Sequence, residues 1–184
     1  MRIRTSFTVL ILLLLTASQL TADDATWRTK LDQQLPLLGH RNWIVVADSA
    51  YPWQTAPGIE TVYTDADQVD VVKAVLKSLG KAKHVEPGIY TDAELSHIPE
   101  EGAKGISDYR EQLKKLFRGR NVQSLPHEQI IGKLDETGKT FHVLLLKTKL
   151  TLPYTSVFFQ LDCGYWNADS EKKLREAMKK ETGR

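Results

Sequence analysis

The sequence predicts an α/β protein with a single domain. Stretches with apolar residues at helical spacing alternate with short runs of β-branched and apolar residues, which is the pattern of helices packed on a sheet. The 184 residues, 41% hydrophobic and 26% charged, suit one globular domain with its own core. We find no internal repeat, low-complexity segment or linker that would divide the chain.

The N-terminal residues 1–22 have the pattern of a secretory signal peptide. Arg2 and Arg4 precede an apolar run over residues 7–15, and small and polar residues follow it. A membrane-spanning helix needs about 20 apolar residues, so this run is too short to span a bilayer comfortably. We predict cleavage after residue 22, with an earlier cut as the alternative, and a mature domain over residues 23–184. The mature protein is expected to be exported, periplasmic or extracellular, without stable membrane insertion.

The charge of the mature chain argues against a nucleic-acid partner. The full chain has 25 basic and 23 acidic side chains, for a formal net charge of +2. Cleavage after residue 22 removes two arginines and no acids, so the mature chain has no net charge. Basic residues are interspersed with acids rather than clustered, and we predict no nucleic-acid binding.

The first elements of the mature chain are two strands and the helix that precedes them. A helix is expected over residues 25–38, where Trp27 begins a helically spaced apolar series. Residues 43–47 form a continuous apolar run, which is typical of a strand covered on both faces. Two prolines and a glycine indicate a loop over residues 49–58, and a second strand follows over residues 59–64.

The same two kinds of pattern predict the remaining elements. In order, they are a helix over 69–79 capped by Asp65 or Asp67, a strand over 84–90, a loop with a short helix over 91–105 and a helix over 109–117 closed by Gly119. A short strand near Val122, a helix opened by Pro126, a turn over 135–138, strands over 141–148 and 156–163, and a polar helix over 168–180 complete the chain.

Several well-defined site motifs are absent from the sequence. It has no glycine-rich phosphate loop, no His-Glu-x-x-His pair and no Gly-x-Ser-x-Gly element. Cys163 is the single cysteine, so the chain cannot form an intramolecular disulfide or a cysteine-based zinc site. We therefore predict no metal and no cofactor.

The remaining candidates are polar residues at the ends of strands. Asp48 directly follows the first strand, and ligands of α/β sheets bind at the carboxyl ends of strands. His40 precedes that strand and reaches the same edge only if the loop folds back or a neighbouring subunit supplies it. His127 opens a helix and Tyr154 enters the last strand. Each of these residues also has a purely structural interpretation, as a turn, cap or surface residue.

The segment over residues 39–52 has the sequence Gly-His-Arg-Asn-Trp-Ile-Val-Val-Ala-Asp-Ser-Ala-Tyr-Pro. It resembles the opening motif of the D-ribose pyranase and L-fucose mutarotase (RbsD/FucU) family, in which Gly-His-Gly-Asp precedes an apolar strand, Ala-Asp and a proline. The interval of eight residues from His40 to Asp48 is the same. Residues 125–128, Leu-Pro-His-Glu, and residues 153–156, Pro-Tyr-Thr-Ser, are similar to later elements of the family.

The similarity extends over most of residues 25–165, with departures inside the motifs. Arg41 and Asn42 replace Gly-Asp, Lys147 stands where arginine is usual, Lys149 and Leu150 replace Gly-Glu, and Ser156 stands at an asparagine. The signal peptide and the C-terminal helix, at about residues 168–181, are additions to a family whose typical members are short cytoplasmic proteins.

The resemblance implies a single three-layer domain with a central mixed sheet flanked by helices. It also implies a mutarotase or pyranase that interconverts the ring forms or anomers of a free monosaccharide by general acid–base catalysis. Family members assemble as rings with sites near subunit contacts, so a homo-oligomer is expected.

The resemblance assigns roles to six residues. His40 matches the family's proton donor, and both forms of a histidine are populated near neutral pH. Asp48 matches a sugar-binding aspartate. The remaining sugar contacts implied are His127, Tyr154, Thr155 and Ser156.

Two other functions are compatible with the sequence. The departures at the late motif are compatible with a non-catalytic monosaccharide-binding protein, and the scaffold alone is compatible with an oligomeric interaction protein. Tyr51 and Trp53, in the loop after Asp48, are candidates for stacking on the apolar face of a sugar, although packing in a core or interface is the commoner role of such side chains.

Overall fold

A computed structural model describes residues 22–182, so the predicted signal peptide lies outside the described residues apart from its last position. The strands are β1 (Trp43–Ala47), β2 (Ile59–Tyr63), β3 (Val85–Asp92), β4 (Val122–Leu125), β5 (Val143–Lys147) and β6 (Val157–Cys163). The helices are α1 (Ala22–Gln34), α2 (Gln68–Leu79), α3 (Ile106–Leu116), α4 (His127–Gly138) and α5 (Ala168–Thr182), with 3₁₀ turns at Leu35–Leu37 and Ala93–His97.

The six strands of the described chain form one mixed sheet in the order β2-β5-β1-β6-β3-β4. β5 is parallel to both β1 and β2, and β3 is parallel to β4. β6 is antiparallel to its two neighbours, β1 and β3. Five strands therefore share one direction and β6 opposes them, which confirms the mixed sheet implied by the family resemblance.

The two faces of the sheet are covered by different helices, and alternate residues of β1 show the division. Ile44 and Val46 belong to the larger core cluster, to which α1, α2 and α3 contribute. Trp43, Val45 and Ala47 belong to the cluster on the other face, with α4. All five residues of β1 are buried, as the continuous apolar run predicts for a strand covered on both faces. The domain has three layers.

Local sequence signals account for where several helices begin and end. Asp67 caps α2, because its carboxylate accepts a 2.9 Å hydrogen bond from the backbone N–H of Val69. Gly119 follows α3 with a φ of 77°, a conformation that glycine adopts without steric cost. α1 stops at Gln34 and a 3₁₀ turn follows, since Pro36 lacks the N–H that would continue the helix.

The turn predicted over residues 135–138 is wrong, because α4 continues to Gly138. The carbonyl of Gly138 accepts a 2.9 Å hydrogen bond from the N–H of Gly58, which ties the end of the helix to the loop before β2. A Cβ at Gly138 would lie 2.6 Å from the side chain of Ile59. Glycine here permits close packing of the last helical turn, and the sequence pattern alone did not distinguish that role from a chain reversal.

The C-terminal helix is present as α5, and nearly all of its described side chains are exposed, including Leu174. Within residues 22–182, no helix has the length and apolar character needed to cross a membrane.

Candidate functional site

The strand directions bring several polar residues to one edge of the sheet. β1 to β5 end at this edge and the antiparallel β6 begins there, so we call it the carboxyl edge. Polar residues at or next to these strand ends include Asp48, Thr64, Asp92, His127, Lys147, Thr148 and Ser156. Next to the ends of the six strands, the carboxyl edge therefore holds two carboxylates, an imidazole, an ammonium group and three hydroxyls.

Asp48 is half-buried just beyond β1. Its Oδ1 accepts a 2.9 Å hydrogen bond from the backbone N–H of Ala50, which fixes the turn after the strand. Its Oδ2 lies 3.4 Å from the hydroxyl of Ser156, which precedes the neighbouring strand β6. The carboxylate is thus oriented by its own turn and by the adjacent strand, and it retains acceptor capacity for a ligand.

Asp92 and His127 form a second, more buried pair. β3 and β4 are in register so that Asp92 lies opposite Leu125, which places His127 at the same end two residues later. Oδ1 of Asp92 lies 3.0 Å from Nδ1 of His127. The carboxyl group is 0% exposed and the imidazole 30% exposed. The histidine therefore lies between a buried acid and the surface of the site.

The pKa of Asp92 is raised to about 6, chiefly because burial disfavours the charged form. The charges of Glu94 and Asp48 add to this rise, and the contact with His127 opposes it. Oδ2 of Asp92 is buried and has no hydrogen-bond partner among the described residues. His127 is thus the side-chain partner that stabilises the ionised form of this carboxyl group in the described structure.

Tyr154 packs against the imidazole of His127. The two rings meet edge to face with their centroids 5.4 Å apart. Tyr154 has a φ of 54°, an uncommon conformation for a tyrosine that costs about 1 to 3 kcal/mol and persists only where the surroundings enforce it. The residue remains 41% exposed, so it can contact both His127 and a ligand at the carboxyl edge.

A buried polar network holds the segment that carries Tyr154. The side-chain amide of Gln68 donates to the carbonyl of Thr155 and, over 2.8 Å, to the hydroxyl of Tyr109. The same tyrosine hydroxyl donates to the carbonyl of Thr155 over 2.6 Å. Thr148 Oγ1 lies 2.9 Å from Gln68 Oε1 and from the carbonyl of Ala47, so its one proton can bind either acceptor. α2 and α3 therefore anchor the segment between β5 and β6.

Two predicted sugar contacts are buried in the single chain. Thr155 is fully buried, and its hydroxyl donates to the carbonyl of Leu152 over 2.8 Å. Ser156 is also buried, and its hydroxyl is directed at Asp48. The structure thus places Thr155 behind the surface as a support for the segment, and Ser156 as a support for the Asp48 carboxylate.

The loop after Asp48 is tied down on both sides of an exposed tryptophan. Lys147 Nζ donates to the carbonyl of Tyr51 over 2.7 Å, and the buried Tyr51 hydroxyl donates to Gln54. Gln54 in turn donates to Asp135 of α4 over 2.7 Å. Tyr51 is therefore part of the core, and burial raises the pKa of its hydroxyl. Trp53, by contrast, is exposed and remains available for stacking.

His40 lies at the opposite edge of the sheet from Asp48. It precedes β1, its side chain is 59% exposed, and its Nε2 lies 3.4 Å from Oδ1 of Asp162 near the end of β6. β1 alone is about 16 Å long at the usual rise per residue, and the loop before it does not fold back. Within one chain, the structure brings together Asp48, His127, Tyr154 and Ser156 but not His40.

A groove of about 630 Å³ also lies away from the carboxyl edge, between the second half of α4 and the sheet. Arg41, Trp43 and Gln160 line it, and the guanidinium of Arg41 lies 5.5 Å from the ring of Phe141. The groove contains none of the six predicted site residues. We place the candidate site at the carboxyl edge because the buried ionisable pair is there and ligands of α/β sheets bind at that edge.

Asp92 was not among the site residues predicted from the sequence, although a signal for it is present. Like Asp48, Asp92 stands at the end of a strand, but the predicted third strand stopped two residues short of it. Gln68 and Tyr109 have no comparable signal, because their role depends on contacts between distant elements. Among the described residues, no group of three or more His, Cys, Asp or Glu side chains is arranged to hold a metal ion.

No protein-family model and no curated protein sequence matches the chain. The solved structure of Bacillus subtilis RbsD complexed with D-ribose matches with a TM-score of 0.50 and 20% identity, covering 73% of this chain and 92% of that one. The fucose mutarotase of Streptococcus pneumoniae in complex with L-fucose matches with a TM-score of 0.50 and 16% identity, covering 72% and 91%. These similarities show that the chain has the α/β fold of RbsD and the fucose mutarotase.

Proposed function

We propose that the protein is an exported monosaccharide mutarotase or pyranase of the RbsD/FucU family. The observation that carries the proposal is the convergence of Asp48, the Asp92–His127 pair and Tyr154 at the carboxyl edge of the sheet. The two matched structures of this fold were solved with a free monosaccharide bound, which supports the same ligand class here.

The reaction requires two proton transfers. Opening a sugar ring removes a proton from the anomeric hydroxyl and delivers one to the ring oxygen, and closure on either face gives the two anomers. Neither transfer requires a metal or a nucleotide, and side chains that exchange protons near neutral pH suit both. The carboxyl edge supplies such side chains together with fixed acceptors for sugar hydroxyls.

Each residue at the edge has a role in this proposal. Asp48 accepts hydrogen bonds from sugar hydroxyls, because its carboxylate is oriented but only half-buried. Tyr154 and His127 contact the sugar from the other side, with the exposed part of the tyrosine ring against its apolar face. Thr155 supports the segment through its backbone carbonyl, which accepts from Tyr109. Ser156 orients the carboxylate of Asp48 through its hydroxyl.

His40 is the proposed proton donor, supplied by a second copy of the chain. Its side chain is exposed at the opposite edge, so it can enter the site of a neighbour but not its own. We therefore propose a homo-oligomer, a ring in keeping with the family resemblance. In this ring the edge of the sheet that carries His40 in one copy meets the carboxyl edge of the next copy. The site is complete only in that assembly.

A non-catalytic monosaccharide-binding protein is the second candidate. Two positions at which the sequence departs from the family have side chains bound to the protein itself, because Lys147 donates to Tyr51 and Ser156 is directed at Asp48. Polar groups used in this way do not stabilise charge that develops on a sugar during ring opening. The same fold would then bind a sugar without accelerating its interconversion.

Magnetisation-exchange NMR on free sugars tests the proposal. The mature protein is added to ribose, fucose, galactose and glucose, and the exchange rate between ring forms is measured for each. We expect acceleration of at least one sugar, and a loss of roughly 100-fold or more in His40→Ala because a proton-transfer group is removed. Calorimetry on the same sugars measures binding separately.

His97→Ala is the matched control, since His97 is exposed in the turn after β3 and outside the candidate site. It should exchange sugars at the wild-type rate. Sugar binding without acceleration by the folded wild-type protein would favour the binding function, and neither binding nor acceleration would refute both candidates.

A further inference from the structure

The Asp92–His127 pair has the geometry of a positioned acid–base group. We infer that His127, with its ring held through Nδ1 by Asp92, is a proton-transfer group of the sugar reaction and exchanges a proton at Nε2. The inference rests on the proposed function and identifies the second of the two groups that ring opening requires. Asp92 acts through His127 and is therefore a positioning residue.

The hydrogen bond within the pair decides which ring nitrogen carries a proton. Nδ1 of His127 lies 3.0 Å from Oδ1 of Asp92. An ionised carboxylate can only accept, so Nδ1 donates and the neutral imidazole keeps its lone pair on Nε2. Nε2 has no hydrogen-bond partner among the residues that the structure describes. The nitrogen that can take a proton is thus the one not used by the protein.

The orientation of the imidazole is fixed from three sides. Asp92 holds Nδ1, and the rings of His127 and Tyr154 meet edge to face with their centroids 5.4 Å apart. His127 is also the first residue of α4, which fixes its backbone. The backbone N–H of His127 lies 3.1 Å from both carboxylate oxygens of Glu94. A first-turn N–H bound by a carboxylate secures the start of the helix. A ring held in this way loses little freedom when a sugar binds, which favours proton transfer.

Charged groups around Asp92 help to set the pH range in which its carboxyl group is ionised and can accept from Nδ1 of His127. His127 faces Asp92 from α4, Glu94 from the turn after β3 and Asp48 from the end of β1. With a pKa of about 6, the Asp92 carboxyl is ionised at neutral pH and accepts from Nδ1. At lower pH a protonated Asp92 donates to Nδ1 instead, and Nε2 then carries the proton. The ionised form of Asp92 is therefore the one that leaves Nε2 of His127 unprotonated and able to act as a base.

In the proposed step, Nε2 takes the proton of the anomeric hydroxyl while the bond between the anomeric carbon and the ring oxygen breaks. The electron pair of the O–H bond becomes the second bond of the carbonyl group, and the pair of the broken C–O bond stays on the ring oxygen. That oxygen takes a proton from the imidazolium of His40 of a second copy. Ring closure reverses both transfers and restores the two histidines.

Nitrogen-15 NMR of histidine-labelled protein tests the tautomer without any sugar, and His127→Gln assigns the signal. Above about pH 7 we expect the Nε2 resonance at the position of an unprotonated nitrogen. Asp92→Asn should redistribute the proton between the two nitrogens, because an amide can accept from or donate to Nδ1. Asp32→Asn, which removes an exposed carboxylate on α1, is the control and should leave the signal unchanged. A wild-type proton fixed on Nε2 at this pH would overturn the inference.

The same variants are then measured in the sugar-exchange assay. Asp92→Asn should lower kcat by roughly 10- to 100-fold with KM nearly unchanged, and should change the acid limb of the pH profile, because asparagine does not titrate beside His127. His127→Gln should lose at least as much. If the wild type exchanges a sugar and both variants retain its kcat and pH profile, the inference fails while the proposed function stands. If the wild type exchanges none of the sugars, the proposed function fails, and the catalytic role of His127 with it.

Discussion

The carboxyl group of Asp92 is completely buried, and among the described residues it has one side-chain donor, His127. Its ionisation therefore affects the stability of the fold as well as the chemistry of the site. Folding raises the pKa of Asp92 from 3.8 to about 6, so the folded state holds this proton more tightly than the unfolded state does. The resulting stabilisation is complete below the unfolded pKa and is lost as the pH rises through 6.

Asp92→Asn should therefore change stability in a pH-dependent way. Asparagine does not ionise, so the free energy of unfolding of the wild type should fall relative to that of the variant by roughly 2 to 3 kcal/mol between about pH 4 and pH 7.5. Urea unfolding at a series of pH values measures this difference. Asp32→Asn should shift stability by less than about 0.5 kcal/mol throughout. A wild-type-to-Asp92→Asn difference that does not vary with pH would show that Asp92 ionises in the folded state as it does in the unfolded state.

The two strand-end aspartates show how far the sequence predicts the site. Asp48 was identifiable because a continuous apolar run leads directly to it and a motif surrounds it. Asp92 is itself the last residue of β3, and the apolar residues of that strand stop at Tyr90, so its end was predicted too early. Its pairing with His127 depends on the parallel register of β3 and β4, which no local pattern encodes. Burial and register, both tertiary properties, distinguish the two residues.

At the scale of elements, α2 and α3 support the site from behind without reaching its surface. Gln68 begins α2 and Tyr109 lies in the first turns of α3, and both bind the carbonyl of Thr155. Their polar atoms replace the backbone partners that an irregular segment lacks in a protein interior. The strained backbone of Tyr154 is adjacent to this carbonyl, so the two helices help to maintain the position of its ring.

Tyr109→Phe tests this support. The substitution removes one donor to Thr155 and leaves one amide hydrogen of Gln68 unpaired in the interior, so we expect a loss of about 1 to 3 kcal/mol of stability. Amide hydrogen exchange should also accelerate over residues 148–156 relative to the central strands. Tyr63→Phe is the matched control, because its hydroxyl donates to Asp65 at the exposed surface. Equal stability of the Tyr109→Phe variant and the wild type would show that the network does not hold the segment.

The elements themselves were largely predictable, for reasons that particular stretches make clear. Residues 43–47 and α2 have strong apolar patterns, and the structure confirms both. α4 was predicted to end early because Asp135 and Gly138 favour turns, whereas packing of Gly138 against Ile59 allows another helical turn. In segments with a weak apolar pattern, the propensity of the residues determines the secondary structure only where tertiary contacts do not override it.

At the scale of the whole molecule, the sheet separates the two halves of the resemblance motif. His40 and Asp48 are eight residues apart in sequence but lie at opposite edges, because β1 runs between them. A motif whose halves lie on opposite edges can serve one site only if two copies of the chain meet there. The proposed homo-oligomer is the arrangement in which His40 and Asp48 can belong to one site.

Co-expression of two inactive variants tests the shared site. His40→Ala lacks the proposed proton donor and Asp48→Asn lacks the sugar-binding carboxylate, so each variant alone should exchange sugars slowly. In mixed assemblies, a site with the carboxyl edge of the first variant and His40 of the second contains both groups. Random mixing at equal amounts should restore about one quarter of wild-type activity, since one site in four has that combination in a symmetric ring.

Purified assemblies carrying two different affinity tags are assayed by magnetisation-exchange NMR. Activity that stays at the level of the single variants, in assemblies shown to contain both chains, would mean that His40 and Asp48 do not act in one site.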